Sequence, residues 1–199
     1  MPRGPRLDAP ETLHHIIFRG IERGLIVRDD VDREDFISRL GRLAKETSTA
    51  MYAWSLMSNH GHMLLRSGKG GIPTLMRRLL TGYAVSYNRR HARWGHVFQN
   101  RYKSIICEED VYFQRLVSYI HLNPLRAGIV QSLEELDVYP WCGHSVLMNQ
   151  QQNDWQDRDY VLEYFGATEG SARKAYRTFV SEQSWGRIGD VVDKAEIKV

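Results

Sequence analysis

The sequence predicts an α+β fold in which a mainly antiparallel sheet is covered by helices. Its apolar patterns indicate strand, helix, two adjacent strands, helix, strand and helix, in that order. The chain has 199 residues, of which 42% are hydrophobic and 26% are charged, and this suits one domain of about 150 residues with a small appendage. We place the domain at residues 1–148, and a linker, a short helical extension and a tail at 149–199.

The boundaries of the predicted elements follow from periodicity and from turn residues. Alternating apolar residues predict strands, and an apolar stripe at helical spacing predicts a helix capped by Asp30 or Asp32. A later helix ends near Asn123, because the residue before Pro124 disfavours helical geometry. The predicted elements are an irregular lead-in at 1–10, a strand at 12–18, a helix from 30 or 32 to about 48, strands at 51–57 and 60–66, a helix at 72–91, a strand at 101–108, a helix from 110 to about 123, short helices at 159–165 and 171–180, and a loosely held tail from 185.

Two further features bear on the compartment. No apolar run approaches the ~20 residues that cross a bilayer, and the basic N-terminus has no apolar segment behind it, unlike a secretory signal. Cys107 and Cys142 are too few for a disulfide framework, so we expect reduced thiols. These features predict a cytoplasmic protein.

Basic residues are concentrated in the middle of the chain. Residues 47–107 contain nine Lys or Arg and no Asp or Glu, whereas the remainder has 18 basic and 24 acidic residues, a net charge of −6. A segment of this kind favours a polyanionic partner, with nucleic acid first. Tyr83, Tyr87, Trp94 and Phe98 lie among these charges and suit base stacking on unpaired strands, although a tyrosine stripe is more often core. The candidate DNA-binding residues are Arg19, Arg77, Arg78, Arg89, Arg90, Arg93, Arg101 and Lys103.

Two histidines on the second strand of the predicted hairpin form a candidate metal site. Because side chains alternate along a strand, His60 and His62 project from one face. Tyr119 and Asn123 are four residues apart and share one face of their helix. If the two faces meet, a divalent ion on His60, His62 and Asn123 would polarise a phosphate that Tyr119 attacks. The alternatives are surface histidines near a turn, a core tyrosine, and an asparagine that caps the turn at Pro124.

The first strand carries another pair of histidines. His14 and His15 are adjacent, so they point to opposite faces, and one of them could reach a site on the sheet. A core or surface position is the favoured interpretation for each.

These motifs resemble those of the single-tyrosine HUH transposases and, within them, the REP-associated tyrosine transposases of bacteria. The resemblance rests on segments 13–20, 56–65, 95–103 and 119–128, which occur in the family's order and spacing over roughly residues 10–148. It implies a ferredoxin-like fold, Mg²⁺ or Mn²⁺ at His60 and His62, and Tyr119 as the nucleophile on single-stranded DNA. The Tyr-x-x-x-Asn pattern that ends at Asn123 resembles that of the REP-associated branch, because related insertion-sequence enzymes more often have Gln at this position.

Gly61 departs from the family's pattern. The residue between the two histidines is usually bulky and apolar, whereas glycine loosens a strand and packs nothing beneath the metal. We therefore expect a less rigid metal platform with its ligands intact.

The leading hypothesis is a metal-dependent, sequence- or structure-specific single-stranded DNA endonuclease and strand transferase that forms a covalent 5′-phosphotyrosine intermediate on palindromic, REP-like hairpins. We expect single-stranded or hairpin DNA as the partner, a monomer or homodimer, and association with the nucleoid. One alternative is a hairpin-binding protein without catalysis. Another is a metal-dependent hydrolase that activates water and does not need Tyr119.

Overall fold

The computed structural model describes residues 11–107 and 109–184, with the side chains of 109–111 excepted. The predicted lead-in at 1–10 and the tail from 185 lie outside these residues. The described residues form four strands, eight α-helices and a 3-10 helix at Ile21–Arg23. The strands and α-helices are β1 (Leu13–Arg19), α1 (Asp30–Glu46), β2 (Ala50–Leu56), β3 (His60–Arg66), α2 (Ile72–Arg90), β4 (Lys103–Cys107), α3 (Glu109–His121), α4 (Asn123–Arg126), α5 (Leu133–Val138), α6 (His144–Leu147), α7 (Arg158–Glu163) and α8 (Glu169–Ser184).

The strands form one antiparallel sheet in the order β2-β3-β1-β4. β1 lies inside the sheet and pairs with both β3 and β4. In this register Arg19 lies opposite His60, and Ile17 lies opposite both His62 and Lys103. With α1 between β1 and β2 and α2 between β3 and β4, the arrangement is the ferredoxin-like fold, as the sequence predicts.

One face of the sheet packs against α1 and α2. Ile16 and Phe18 of β1 share a buried cluster with Phe36 of α1 and with Tyr83 and Tyr87 of α2. The two tyrosine hydroxyls donate hydrogen bonds to backbone carbonyls in the connection before α1. The tyrosine stripe of α2 is therefore core rather than a stacking platform.

The other face of the sheet is partly covered by α3 and the helices that follow it. Sheet residues Leu13, Tyr52 and Leu64 share a second buried cluster with helices α3, α7 and α8. The helical contributors to this cluster include Phe113, Val117, Ile120, Val161, Leu162, Tyr176 and Val180. The C-terminal helical extension thus packs on the same core as α3, and the domain boundary at residue 148 stays a prediction.

Two local features differ from the sequence expectations. The cap of α1 is Asp29, whose carboxylate accepts a hydrogen bond from the backbone N–H of Asp32 at 3.1 Å. Helices α4, α5 and α6 have only four to six residues, too few for apolar periodicity to reveal them. For α5, Ser132 followed three residues later by Glu135 was an available capping signal.

No helix in the described part of the chain is long and apolar enough to cross a membrane.

Candidate active site

Strand β3 directs His60 and His62 to the face that α3 partly covers, with their ring centroids 5.2 Å apart. Nδ1 of His60 lies 2.7 Å from Oδ1 of Asn59 and must donate its proton, because an amide oxygen only accepts. Nδ1 of His62 lies 3.1 Å from Nε2 of His15. Both contacts occupy Nδ1, so each ring has Nε2 left for a metal ion.

His15 belongs to this site, although the favoured sequence interpretation was an ordinary core or surface histidine. It is buried, and its ring stacks on His62 with centroids 5.3 Å apart. It also meets the edge of the Tyr119 ring at 6.0 Å. In the pairing of β1 with β3, His15 lies opposite Leu64, which is two residues after His62 in β3. The imidazoles of His15 and His62 therefore lie on the same face of the sheet.

Burial holds the three imidazoles in the neutral form. It lowers the pKa of His15 to about 4, with a further contribution from Lys103. It lowers the pKa of His62 well below its usual value, helped by His15, and it lowers the pKa of His60, helped by Arg19. Neutral imidazole is the form that ligates metal ions, so the site is prepared for a cation near neutral pH.

Helix α3 brings Tyr119 to the histidines, and Asn123 begins the next helix, α4, where it bonds back to the last turns of α3. The Tyr119 ring, which is half-buried, meets the His62 ring edge-on at 5.9 Å. Nδ2 of Asn123 donates to the backbone carbonyls of Tyr119 at 3.1 Å and Ile120 at 3.2 Å. These two bonds use the amide nitrogen, so Oδ1 is the atom with which Asn123 would bind a metal ion.

Arg126 is a site residue that was not singled out from the sequence. Its guanidinium carbon lies 5.5 Å from the centre of the Tyr119 ring. The same side chain donates to the backbone carbonyl of Gln183 in α8 at 3.3 Å. A cation beside a phenol favours the phenolate, and an arginine can also receive a phosphate. Its position three residues after Asn123, inside the family-like segment 119–128, is the sequence feature that could have indicated a role at the site.

The adjacent neutral imidazoles of His60 and His62 have the chemistry of metal ligands. In the part of the chain that the structure describes, no group of three or more His, Cys, Asp or Glu could hold a metal ion. The ligands expected from the sequence are two imidazoles and the amide oxygen of Asn123, a set that would leave coordination positions for water and phosphate oxygens. Of the two ions that the resemblance implies, Mn²⁺ accepts imidazole nitrogen more readily than Mg²⁺, while water, amide and phosphate oxygens suit both.

Gly61 is supported by an aromatic ring on the opposite face of the sheet. It lies opposite Phe18, and a Cβ at Gly61 would lie 2.3 Å from Cζ of that ring. The Phe18 ring stacks on Phe36 at 5.2 Å within the first cluster. The expectation that nothing packs beneath the metal platform is therefore wrong, because Phe18 fills the space that a larger residue would need.

The family model described as "Transposase IS200 like" matches residues 10–123, more than half of the chain. The chain belongs to this IS200-like transposase family. Membership makes it a DNA-processing protein of the transposase class, and the matched residues include His60, His62, Tyr119 and Asn123.

Two solved structures are similar to this family member. One is a REP-associated tyrosine transposase bound to a REP hairpin, with a TM-score of 0.59 and 13% identity over 79% of this chain and 94% of that chain. This similarity shows a shared fold. The other, from Deinococcus radiodurans R1 and named as a candidate transposase, has a TM-score of 0.41 and 18% identity over 68% of this chain and 98% of that chain. No curated protein matches the chain.

The candidate DNA-binding residues of this IS200-like protein lie on two sides of the sheet. Arg19 and Lys103 are exposed on strands β1 and β4, on the face of the two histidines. The arginines of α2 lie in the layer on the opposite face. Arg90 forms ion pairs with two aspartates at the start of α1, and Arg78 forms one with Glu46. These two arginines therefore hold α2 against α1.

The remaining basic candidates lie on or beside α2. Arg89 is exposed in the last turn of α2, and the Arg93 guanidinium lies 5.7 Å from the centre of the Tyr87 ring. Arg77 and Arg101 line one groove beside α2. Contacts of all eight residues with DNA stay predictions.

Proposed function

We propose that this chain is a metal-dependent endonuclease and strand transferase for single-stranded DNA, which acts at palindromic, REP-like hairpins. The observation that carries the proposal is the meeting of the Tyr119 phenol with His62, at 5.9 Å between ring centroids. A nucleophile of this kind beside a prepared metal platform suits transesterification of a phosphodiester.

In the proposed step the Tyr119 oxygen attacks phosphorus, and the bond from phosphorus to the 3′ oxygen breaks. The 5′ phosphate stays on Tyr119, and the departing strand ends in a 3′-hydroxyl. The phenol loses one proton and the leaving oxygen gains one, so protons balance. A free phenol has a pKa of about 10, and the neighbouring Arg126 guanidinium favours its ionised form.

The proposed ligands are Nε2 of His60, Nε2 of His62 and Oδ1 of Asn123, with Mn²⁺ or Mg²⁺ as the ion. When bound, the cation would polarise the phosphate oxygens and offset the charge that develops during the attack. His15 would hold the His62 ring in the orientation and tautomer that present Nε2.

Two observations support a hairpin substrate. The structural neighbour with the same fold is described as bound to a REP hairpin. In this chain Arg19 and Lys103 stand exposed on the histidine face, and they could receive the phosphates of a strand that enters the site.

Replacement of Tyr119 by Phe tests the proposal, because it removes only the attacking oxygen. A 3′-labelled single strand that contains a palindrome is incubated with Mn²⁺ and protein, and products are separated under denaturing conditions. We expect a covalent adduct with the wild type and none with Tyr119→Phe, while DNA affinity stays within about twofold. Tyr112→Phe is the matched control, because Tyr112 is an exposed tyrosine on the same helix, and it should form the adduct.

Two results would contradict the proposal. Cleavage by Tyr119→Phe at the wild-type rate would indicate a hydrolase that activates water. Tight binding by the wild type without cleavage, under every divalent cation tested, would indicate a hairpin-binding protein.

A further inference from the structure

The turn that follows β1 contains two residues other than glycine in the left-handed region of the backbone. Glu22 has a φ of 52° and Arg23 has a φ of 59°. Both are exposed, so core packing does not explain their conformation. Conformations of this kind persist where neighbouring groups determine them, and they cluster at functional sites. Arg19, the last residue of β1, lies opposite His60, so this turn begins beside a candidate metal ligand.

Backbone hydrogen bonds hold the turn in place. The N–H of Arg23 donates to the carbonyl of Gly20 at 3.1 Å, and the N–H of Gly24 donates to the carbonyl of Ile21 at 2.8 Å. A Cβ on Gly20 would overlap the Gly24 carbonyl oxygen, so the turn closes this tightly only with glycine at position 20. The N–H of Gly20 donates to the backbone carbonyl of Asn59 at 2.8 Å, which ties the turn to the connection between β2 and β3.

The side chain of Asn59 joins this turn to His60. Its Nδ2 donates to the backbone carbonyl of Arg23 at 3.1 Å, and its Oδ1 lies 2.7 Å from Nδ1 of His60. A carbonyl only accepts hydrogen bonds, so the amide must turn its NH₂ group to Arg23 and its oxygen to His60. The amide oxygen also only accepts, so the proton of the neutral His60 ring lies on Nδ1. One backbone carbonyl thus determines which nitrogen of His60 is left for a metal ion.

We propose that Asn59 is a positioning residue for the candidate metal site. It holds the neutral His60 ring with its proton on Nδ1 and ties that ring to the turn at Glu22 and Arg23, so that Nε2 remains the donor atom. Hydrogen-bond partners of this kind orient metal-binding histidines and set their tautomer. The inference rests on the proposed function, because the cation at His60 is part of that function.

Nitrogen-15 NMR of the metal-free protein at about pH 8, where imidazole is neutral, measures the tautomer, because protonated and unprotonated ring nitrogens have different chemical shifts. We expect the Nδ1–H tautomer for His60 in the wild type and in Asn59→Asp, whose carboxylate still accepts the proton, and its loss in Asn59→Ala. Ser58→Ala, in the same connection, is the matched control and should keep the wild-type tautomer. An Nε2–H tautomer in the wild type, or an unchanged tautomer in Asn59→Ala, would overturn the proposal.

Two substitutions of Arg23 test the link to the turn. Proline fixes φ at about −65° and cannot adopt the φ of 59° found here, so Arg23→Pro should move the carbonyl away from Asn59 and reduce the Nδ1–H population of His60. Glycine adopts this conformation readily, so Arg23→Gly removes the same side chain but should keep the wild-type tautomer. Thermal melting checks that both variants fold. A wild-type tautomer in folded Arg23→Pro would refute the role of the turn.

Calorimetry with Mn²⁺ separates this inference from the nuclease proposal. The Mn²⁺ affinity should fall about 10–100-fold in Asn59→Ala, the usual effect of losing a partner that orients a metal ligand, and stay within about twofold in Ser58→Ala. Wild-type Mn²⁺ affinity in Asn59→Ala would overturn the positioning role even if the wild type forms the tyrosine adduct. A wild type that binds no Mn²⁺ would refute the metal-dependent nuclease, while a tautomer difference between the wild type and Asn59→Ala would still support the role of Asn59.

Discussion

Replacement of Gly61 by Leu should destabilise the fold, because the Phe18 ring occupies the space that the new side chain needs. A Cβ at Gly61 would lie 2.3 Å from Cζ of Phe18, whereas carbon atoms in contact are about 3.5–4.0 Å apart. The ring would have to move by about 1.2 Å within a buried cluster where it already stacks on Phe36. Overpacking of this kind costs about 1–3 kcal/mol, and we expect the upper end for the four added carbons.

The two residues should compensate for each other. Phe18→Ala alone removes a buried ring and should cost about 3–5 kcal/mol. With both changes, the leucine at 61 can occupy part of the vacated space. The double variant should therefore be more stable than the sum of the single effects by about 1–3 kcal/mol.

Urea unfolding of the four proteins, followed by circular dichroism, measures this coupling energy. Gly61→Leu combined with Leu136→Ala is the control, because Leu136 belongs to the second cluster, and those effects should add. If the effects of Gly61→Leu and Phe18→Ala also add within about 0.5 kcal/mol, the packing argument for Gly61 is refuted.

Two further predictions concern histidines. His15→Phe keeps the ring but removes the nitrogen that contacts His62, so Mn²⁺ affinity by calorimetry should fall about 10–100-fold, with a smaller loss for His15→Gln. Unchanged Mn²⁺ affinity in His15→Phe would contradict the orienting role. Burial lowers the pKa of His121 well below its usual value, so the unfolded state takes up the proton first and the free energy of unfolding should fall as pH drops below about 6.5. The contribution of this residue to the slope of unfolding free energy against pH should approach about 1.4 kcal/mol per pH unit. The slope should therefore decrease in His121→Leu. An unchanged slope would show that other groups cause the pH dependence.

Local periodicity was enough to predict most of the fold and to propose four residues of the candidate site. Alternation placed His60 and His62 on one face of a strand, and a spacing of four placed Tyr119 with Asn123, without knowledge of the rest of the chain. The short helices after α3 were missed because four to six residues carry too little pattern.

Charge was harder to interpret from the sequence than hydrophobic pattern. Residues 47–107 contain no carboxylate, yet Arg78 and Arg90 meet carboxylates that come from residues 29–46. A count along the chain cannot reveal this neutralisation, because it depends on the packing of α2 against α1. The surface that can receive a polyanion is therefore smaller than the basic segment suggests.

The pairing register of β1 with β3 determines which β1 side chains lie beside His62 and beneath Gly61. It places His15 one pleat from His62 on the ligand face, and it places Phe18 opposite Gly61 on the core face. A shift by one residue would move every β1 side chain to the other face, so His14 would approach His62 and the space beneath Gly61 would lose its ring. Buried Ile16 and Phe18 oppose such a shift, because it would expose both of them. Ile16 and Phe18 therefore fix the neighbours of the candidate metal ligands from the opposite face of the sheet.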